Sequence, residues 1–101
     1  MATLTKIDRY EVMYSSNLFV PRIWLYGSGN KNLGQLIFLA DGTALPPDSM
    51  VAGEANLYYH LENLPTMLTL FRGERTLHLL WAGTGPGNEN GIQTTEQRLG
   101  R

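Results

Sequence analysis

The chain has 101 residues, of which 43% are hydrophobic and 17% charged, a length and composition typical of one globular domain. The formal net charge is −1 and the lysines and arginines are scattered, so the basic stripe of a nucleic-acid-binding protein is missing and we expect no nucleic-acid partner. There is no cysteine, which excludes disulfides, thiolate catalysis and cysteine-ligated zinc.

The N-terminal segment and the apolar runs bear on localisation. Residues 1–12 lack the apolar core of a secretory signal and carry charges from Lys6 onward. The longest uncharged apolar run, near residues 36–40, is far too short to cross a bilayer. We therefore expect a soluble cytoplasmic protein without a membrane partner.

The first 40 residues predict three strands. Residues 7–14 alternate with the period of two that is typical of a half-buried strand. A second strand is predicted over 18–26, where Pro21 implies an edge or an interruption because proline donates no hydrogen bond. The turn-forming residues 27–32 then lead into a third strand over 33–40, so the last two strands should form a hairpin.

A strand, a helix and a strand are predicted next. Residues 55–61 alternate like a strand, and Asn63 is a good N-cap with Pro65 in the first turn. Gly73 suits the left-handed residue after the helix, and 76–81 form the fifth strand. The helix should bury one apolar face, formed by Leu64, Met67, Leu68 and Phe71.

These elements predict an α+β fold. We expect a mixed five-stranded sheet, with a three-stranded antiparallel portion over residues 7–40 leading into β-α-β, and the helix Asn63–Arg72 packed on one face. The link between the last two strands is near the minimum for a crossover, so a right-handed parallel pair is the first choice. An antiparallel pair flanking the helix is the alternative.

The composition changes after residue 82, so the compact domain is predicted over 1–82. Residues 83–101 hold five of the eleven glycines and two aliphatic side chains, Ile92 and Leu99. Such a segment gains too little from burial to offset its ordering entropy. We expect a flexible tail, or one that docks on a partner subunit or on the domain itself as extended chain.

The two histidines are the first candidates for chemistry. His60 and His78 lie on predicted strands, with Glu62 near the first. If the strands were adjacent, the three side chains could line one pocket with Tyr58 and perform general acid–base work. The simpler interpretation is surface hydrogen bonding, and no spacing here indicates a metal site, a cofactor or a catalytic residue.

The aromatic residues are the second candidates. Trp24, Tyr26, Tyr58 and His60 should share the sheet face opposite the helix, which leaves them without cover. An open aromatic face usually meets a partner, a ligand or stacked bases. Stacked bases call for interleaved basic residues and only Arg22 qualifies, so a protein partner is favoured.

One stretch of the sequence is similar to a known group of proteins. It is the run LYYHLENLPTMLTLFRGERTLHLLW, with DGTALP before it and GTG after it. Over residues 22–91 the chain resembles small bacterial proteins encoded by mobile gene cassettes, including integron cassettes. The shared features are the DG..LP loop, the YYH strand, the helix and strand after it, and the glycine-rich tail. The resemblance implies a compact α+β domain, often oligomeric, with no established activity and no catalytic residues to carry over.

Two functions remain open at this point. The favoured hypothesis is a non-catalytic interaction or accessory protein that acts as a homo-oligomer, with a dimer as first choice, because two-fold pairing is the commonest way to bury an open face. The alternative is a small-molecule-binding protein or minor enzyme that uses the pocket of His60, His78 and Glu62.

Overall fold

The computed structural model describes residues 2–73 and 75–94. Within them, β-strands alternate with one α-helix and two short 3-10 turns, at Ser28–Asn30 and Leu61–Asn63. The elements are β1 (Thr3–Ile7), β2 (Arg9–Met13), β3 (Arg22–Tyr26), β4 (Asn32–Leu39), β5 (Ser49–Val51), β6 (Glu54–His60), α1 (Leu64–Arg72), β7 (Leu77–Trp81) and β8 (Gly91–Thr94).

A five-stranded sheet has the order β2-β3-β4-β6-β5. β2, β3 and β4 are antiparallel neighbours, β4 and β6 are parallel, and β5 returns antiparallel to β6. The predicted α+β class, with a mixed five-stranded sheet and an antiparallel three-stranded portion, is therefore confirmed. The sheet's parallel pair is β4 with β6.

A second sheet of three strands, in the order β1-β7-β8, is antiparallel throughout. The prediction that the strands flanking the helix form a parallel pair is wrong, because β6 and β7 lie in different sheets. The helix therefore connects β6 of the five-stranded sheet to β7 of the three-stranded sheet and is not a crossover between parallel strands of one sheet. β7 pairs with β1, whose Thr-rich sequence had not been predicted as a strand, and so finds its hydrogen-bond partners outside the larger sheet.

The core lies between the two sheets and the helix. Five of its side chains, Ile23, Leu25, Leu36, Phe38 and Leu57, are the largest fully buried ones and all belong to the five-stranded sheet. The helix adds Leu64 and Phe71, and β7 adds Leu77 and Leu79. Each such side chain contributes roughly 1.5 to 3 kcal/mol on burial, so this shared core holds the layers together.

The helix is confirmed, but its two ends differ from the prediction. Asn63 makes no side-chain capping hydrogen bond; it belongs to the 3-10 turn that runs into the helix, with φ −90° and ψ −5°. The Asp41 carboxylate instead accepts the Glu62 N–H at 2.7 Å. Gly73 has φ −69° and ψ 152°, so the chain leaves the helix as extended backbone rather than through a left-handed residue.

Gly34 permits the close approach of β4 to β6. Its φ is +136°, which L side chains rarely adopt, and a Cβ there would collide with the backbone of Ala55. The Asn32 side chain accepts the Gly34 N–H at 2.9 Å, next to the register shift between β3 and β4. A glycine is therefore required where the parallel pair begins.

Residues 91–94 form β8 as extended chain on the domain's own sheet, with Leu79 opposite Ile92 and Leu77 opposite Thr94. The sheet thus continues past residue 82, where composition alone had placed the end of the compact domain. β8 is stabilised by backbone pairing with β7, which composition does not report. The remaining predicted tail, residues 95–101 with Leu99, lies outside the described residues.

No helix among the described residues is long and apolar enough to cross a membrane.

Candidate interaction face

The five-stranded sheet has one core face and one open face. Ile23 and Leu25 on β3 are fully buried, so the residues between and beside them point the other way. The strand registers place the corresponding residues of β4 and β6 on that same side. We define the open face as Arg22, Trp24, Tyr26, Gln35, Ile37, Asn56, Tyr58 and His60, all of them partly exposed.

The registers arrange these side chains in rows across the strands. One row runs from Met13 through Arg22 and Ile37 to Tyr58. The next row carries Trp24 and continues through polar side chains: Gln35 Nε2 donates to Asn56 Oδ1 at 3.1 Å, and Asn56 Nδ2 donates to Ser49 Oγ at 3.3 Å. The predicted face residues of β3 and β6 are thus placed on one surface, in neighbouring rows.

A polar corner closes the open face at β2. The Arg9 guanidinium lies 4.0 Å from the Tyr26 ring centroid and donates to Glu11 Oε2 at 3.0 Å. The Tyr26 hydroxyl donates to Glu11 Oε1 at 3.0 Å. This hydrogen bond to a carboxylate stabilises the protonated phenol and raises the pKa of Tyr26. The corner's charges are already paired with each other.

Arg22 has a different environment at the start of β3, on the edge of the open face. Its guanidinium carbon lies 5.3 Å from the Trp24 ring centroid, a distance suited to a cation–π contact. Its Nε is buried and has no hydrogen-bond partner among residues 2–73 and 75–94. Buried donors are nearly always paired, so this Nε is an exception at the edge of an aromatic surface.

The structure does not bring the two histidines together. His60 lies on the open face, where its Nε2 is 2.7 Å from the Thr43 carbonyl oxygen. His78 lies between the buried Leu77 and Leu79 and opposite Lys6, on the outer side of the three-stranded sheet. The core separates the two imidazoles, so the predicted pocket of both histidines with Glu62 is not formed.

The part of the chain that the structure describes contains no cluster of metal ligands. No group of three or more His, Asp or Glu side chains there could hold an ion. Glu62 is exposed in the 3-10 turn before the helix, and its backbone N–H bonds to Asp41.

An exposed segment joins β2 to β3, and the sequence predicted its last three residues, 18–20, as the start of the second strand. Residues 14–20, here called the apolar tip, connect β2 and β3, and Leu18 is 100% exposed and Phe19 67% exposed. Asn17 Oδ1 accepts the Phe19 N–H at 3.2 Å and shapes the turn. The predicted second strand begins four residues later, at Arg22, because Pro21 interrupts the ladder there.

A cleft of about 340 Å³ borders the open face beyond β6. Its lining combines apolar and polar surface and is formed by Leu45, Pro46, Pro47, Asp48, Tyr58, Gly85, Pro86 and Asn90. Sequence reasoning missed it because two loops distant in the chain build it. The two prolines of the first loop and the Gly-Pro pair of the second were the only signal, and they indicated loops rather than a shared wall.

A polar network joins the two loops of the cleft. Asp48 accepts the Tyr58 N–H at 3.0 Å through Oδ1 and an Asn90 Nδ2 hydrogen at 3.1 Å through Oδ2. Asn90 Oδ1 accepts the Ala82 and Gly83 N–H groups at 2.6 and 3.3 Å. Both polar side chains of the cleft wall are therefore used in holding the loops together.

Tyr59 lies on the core side of the same strand as Tyr58. Its ring stacks on Phe38 with centroids 5.6 Å apart. Burial, with a smaller contribution from the Asp48 carboxylate, raises the pKa of Tyr59 to about 12. The two adjacent tyrosines therefore lie on opposite faces of the sheet.

Comparisons with protein-family models, with curated proteins and with solved structures give no match for this chain.

Proposed function

We propose that the protein is a non-catalytic interaction protein that acts as a homodimer, with the open face as its contact surface. One observation carries this proposal. The core face of the sheet is covered by the helix and the second sheet, whereas Trp24, Tyr26, Ile37 and Tyr58 on the other face are partly exposed and lie outside the core cluster. Aromatic residues and arginine are the types enriched in protein interfaces.

The charges of the open face suit a second copy of the chain. Net charge is −1, so two copies repel each other little. The Arg9–Glu11 pair neutralises the corner at β2. The Arg22 guanidinium beside the Trp24 ring also carries terminal N–H groups that can donate to an acceptor on a partner.

Nucleic acid is a poorer fit to the same surface. Single-stranded nucleic acid requires basic side chains that follow the phosphates beside the aromatic rings. The basic side chains on and beside this face are those of Arg9 and Arg22, and Arg9 already contacts Glu11. The resemblance to cassette-encoded proteins, which are often oligomeric, agrees with a dimer. We further propose a cytoplasmic location, which suits a chain without cysteine.

Light scattering coupled to size-exclusion chromatography tests the proposal. We expect a mass twice the 11.3 kDa of the chain. Trp24→Ala and Tyr58→Ala should each weaken the dimer at least about tenfold in Kd, since they remove large aromatic contacts. His78→Ala, on the outer side of the other sheet, is the matched control and should change nothing. A monomer at every concentration would contradict the proposal.

A further inference from the structure

The apolar tip is the most exposed hydrophobic segment of the described chain. Leu18 is 100%, Phe19 67% and Tyr14 66% exposed. No charged residue occurs between Val12 and Pro21. Single exposed apolar residues are ordinary, but three on one projecting loop form a patch that marks an interaction site.

The cleft beyond β6 has the size and chemistry to receive such a side chain. Its volume is about 340 Å³, whereas a cavity of roughly 150 Å³ is enough for a benzene ring. Leu45, three prolines and the Tyr58 ring form the apolar part of its wall, and Asp48 and Asn90 form a polar part. Its one carboxylate, Asp48, accepts hydrogen bonds through both oxygens, so it does not require a cationic ligand.

The tip and the cleft lie at the same end of the strands. The tip follows Met13 and precedes Arg22, and the row through these residues continues across Ile37 to Tyr58 in the cleft wall. Tip and cleft thus flank this row, one on each side of β4. Consider two copies with their open faces in contact, related by a two-fold axis that runs parallel to the strands and close to β4. This rotation reverses the order of the strands across the sheet, so it would bring the tip of each copy to the cleft of the other.

We propose that the cleft receives the apolar tip of a second copy, with Leu18 and Phe19 as the anchors and the reverse contact made at the same time. This inference rests on the proposed homodimer and names the elements that lock it. The reciprocal arrangement closes after two copies, as an isologous interface requires. A single tip in a single cleft would continue into an open filament.

A membrane surface is the other occupant that an exposed Leu-Phe pair could meet. Membrane-binding segments combine such residues with lysines and arginines that attract anionic lipids. The tip has no basic residue, and the nearest one, Arg22, lies beside the Trp24 ring. A second copy therefore fits the tip better than a lipid surface does.

Thiol cross-linking tests the contact in the whole chain, which has no native cysteine. One protein carries Ser16→Cys in the tip and a second, tagged for mass, carries Pro47→Cys in the cleft wall. The two are mixed and treated with a short bismaleimide. We expect a mixed cross-link, and we expect Leu18→Ser with Phe19→Ser to abolish it and to weaken the dimer roughly tenfold or more in Kd.

The control replaces the cleft cysteine with Lys6→Cys, which lies on the outer side of the three-stranded sheet and should give only background cross-linking. A dimer by light scattering without a mixed cross-link above this background overturns the tip-in-cleft contact and leaves the homodimer standing. A monomer at all concentrations overturns both. Sedimentation with phosphatidylserine-containing vesicles that depends on Leu18 and Phe19, without the cross-link, assigns the tip to membranes and also overturns the inference.

Discussion

The two faces of the five-stranded sheet share strands but not surroundings. Leu36 and Ile37 are neighbours on β4, and one is fully buried whereas the other is partly exposed. Both faces carry large apolar side chains, so hydrophobicity alone does not distinguish the core from the open face. The difference comes from what covers each face: the helix and the second sheet pack on one side only.

The largest expected effect is the difference in stability lost when a side chain is truncated on the core face and on the open face. Leu36→Ala should lower the free energy of unfolding by about 2 to 5 kcal/mol, because it leaves a cavity in a close-packed core. Ile37→Ala removes an aliphatic side chain of the same size from the open face and should cost less, about 1 to 2 kcal/mol in dilute solution, because this side chain is only partly buried. Urea denaturation measures both, and equal losses would show that the open face is packed like the core.

The second prediction concerns Tyr59, on the core face of the sheet, and the pH dependence of the free energy of unfolding. Burial raises the pKa of Tyr59 from its ordinary value of 10.0 to about 12, so the folded state holds this proton more tightly than the unfolded state does. The resulting stability is complete below pH 10 and is lost as pH rises through 12. The loss should reach roughly 2 to 3 kcal/mol.

Tyr59→Phe is the control for this pH dependence, because it removes the titrating hydroxyl and keeps the ring. Its stability should fall less steeply above pH 10 than that of the native chain. Urea denaturation at a series of pH values measures the two slopes. Identical slopes would show that Tyr59 is not protected from ionisation by burial.

The smallest effect concerns the polar corner of the open face. Arg9 and Glu11 are 45% and 49% exposed, so Glu11→Gln should change the free energy of unfolding by no more than about 1 kcal/mol. The same change should lower the pKa of Tyr26 towards its ordinary value, because the hydrogen bond to a carboxylate is lost. An NMR titration of the tyrosine ring follows it, and an unchanged pKa would contradict the role of Glu11.

Local sequence patterns predicted the elements that local forces determine. The helix was predicted from apolar spacing, and the placement of Trp24 and Tyr58 on one face from the period of two. The two helix ends were predicted less well, since Asn63 makes no cap bond and Gly73 is extended. Both depend on neighbouring loops, through the Asp41 carboxylate in the first case.

Long-range pairing was not predictable in the same way. β1, β5 and β8 are short, and each is defined by its partner strand rather than by a strong pattern of its own. The division into two sheets follows from these pairings, as does the separation of His60 from His78. Residues 18–20 of the apolar tip continue the alternating pattern of 18–26 and were predicted as strand on that ground, although they lie before the proline that delays β3.

The pairing of β1 with β7 has a consequence for the order in which the chain is made. Thr3 lies opposite Trp81, so β1 leaves the ribosome long before β7 and has no partner until β7 has been synthesised. The larger sheet draws all its strands from Arg9–His60 and can assemble earlier, because shorter loops close at lower entropic cost. The N-terminal strand is therefore an unpaired edge during synthesis, and its Lys6 places a charge there that discourages wrong pairing.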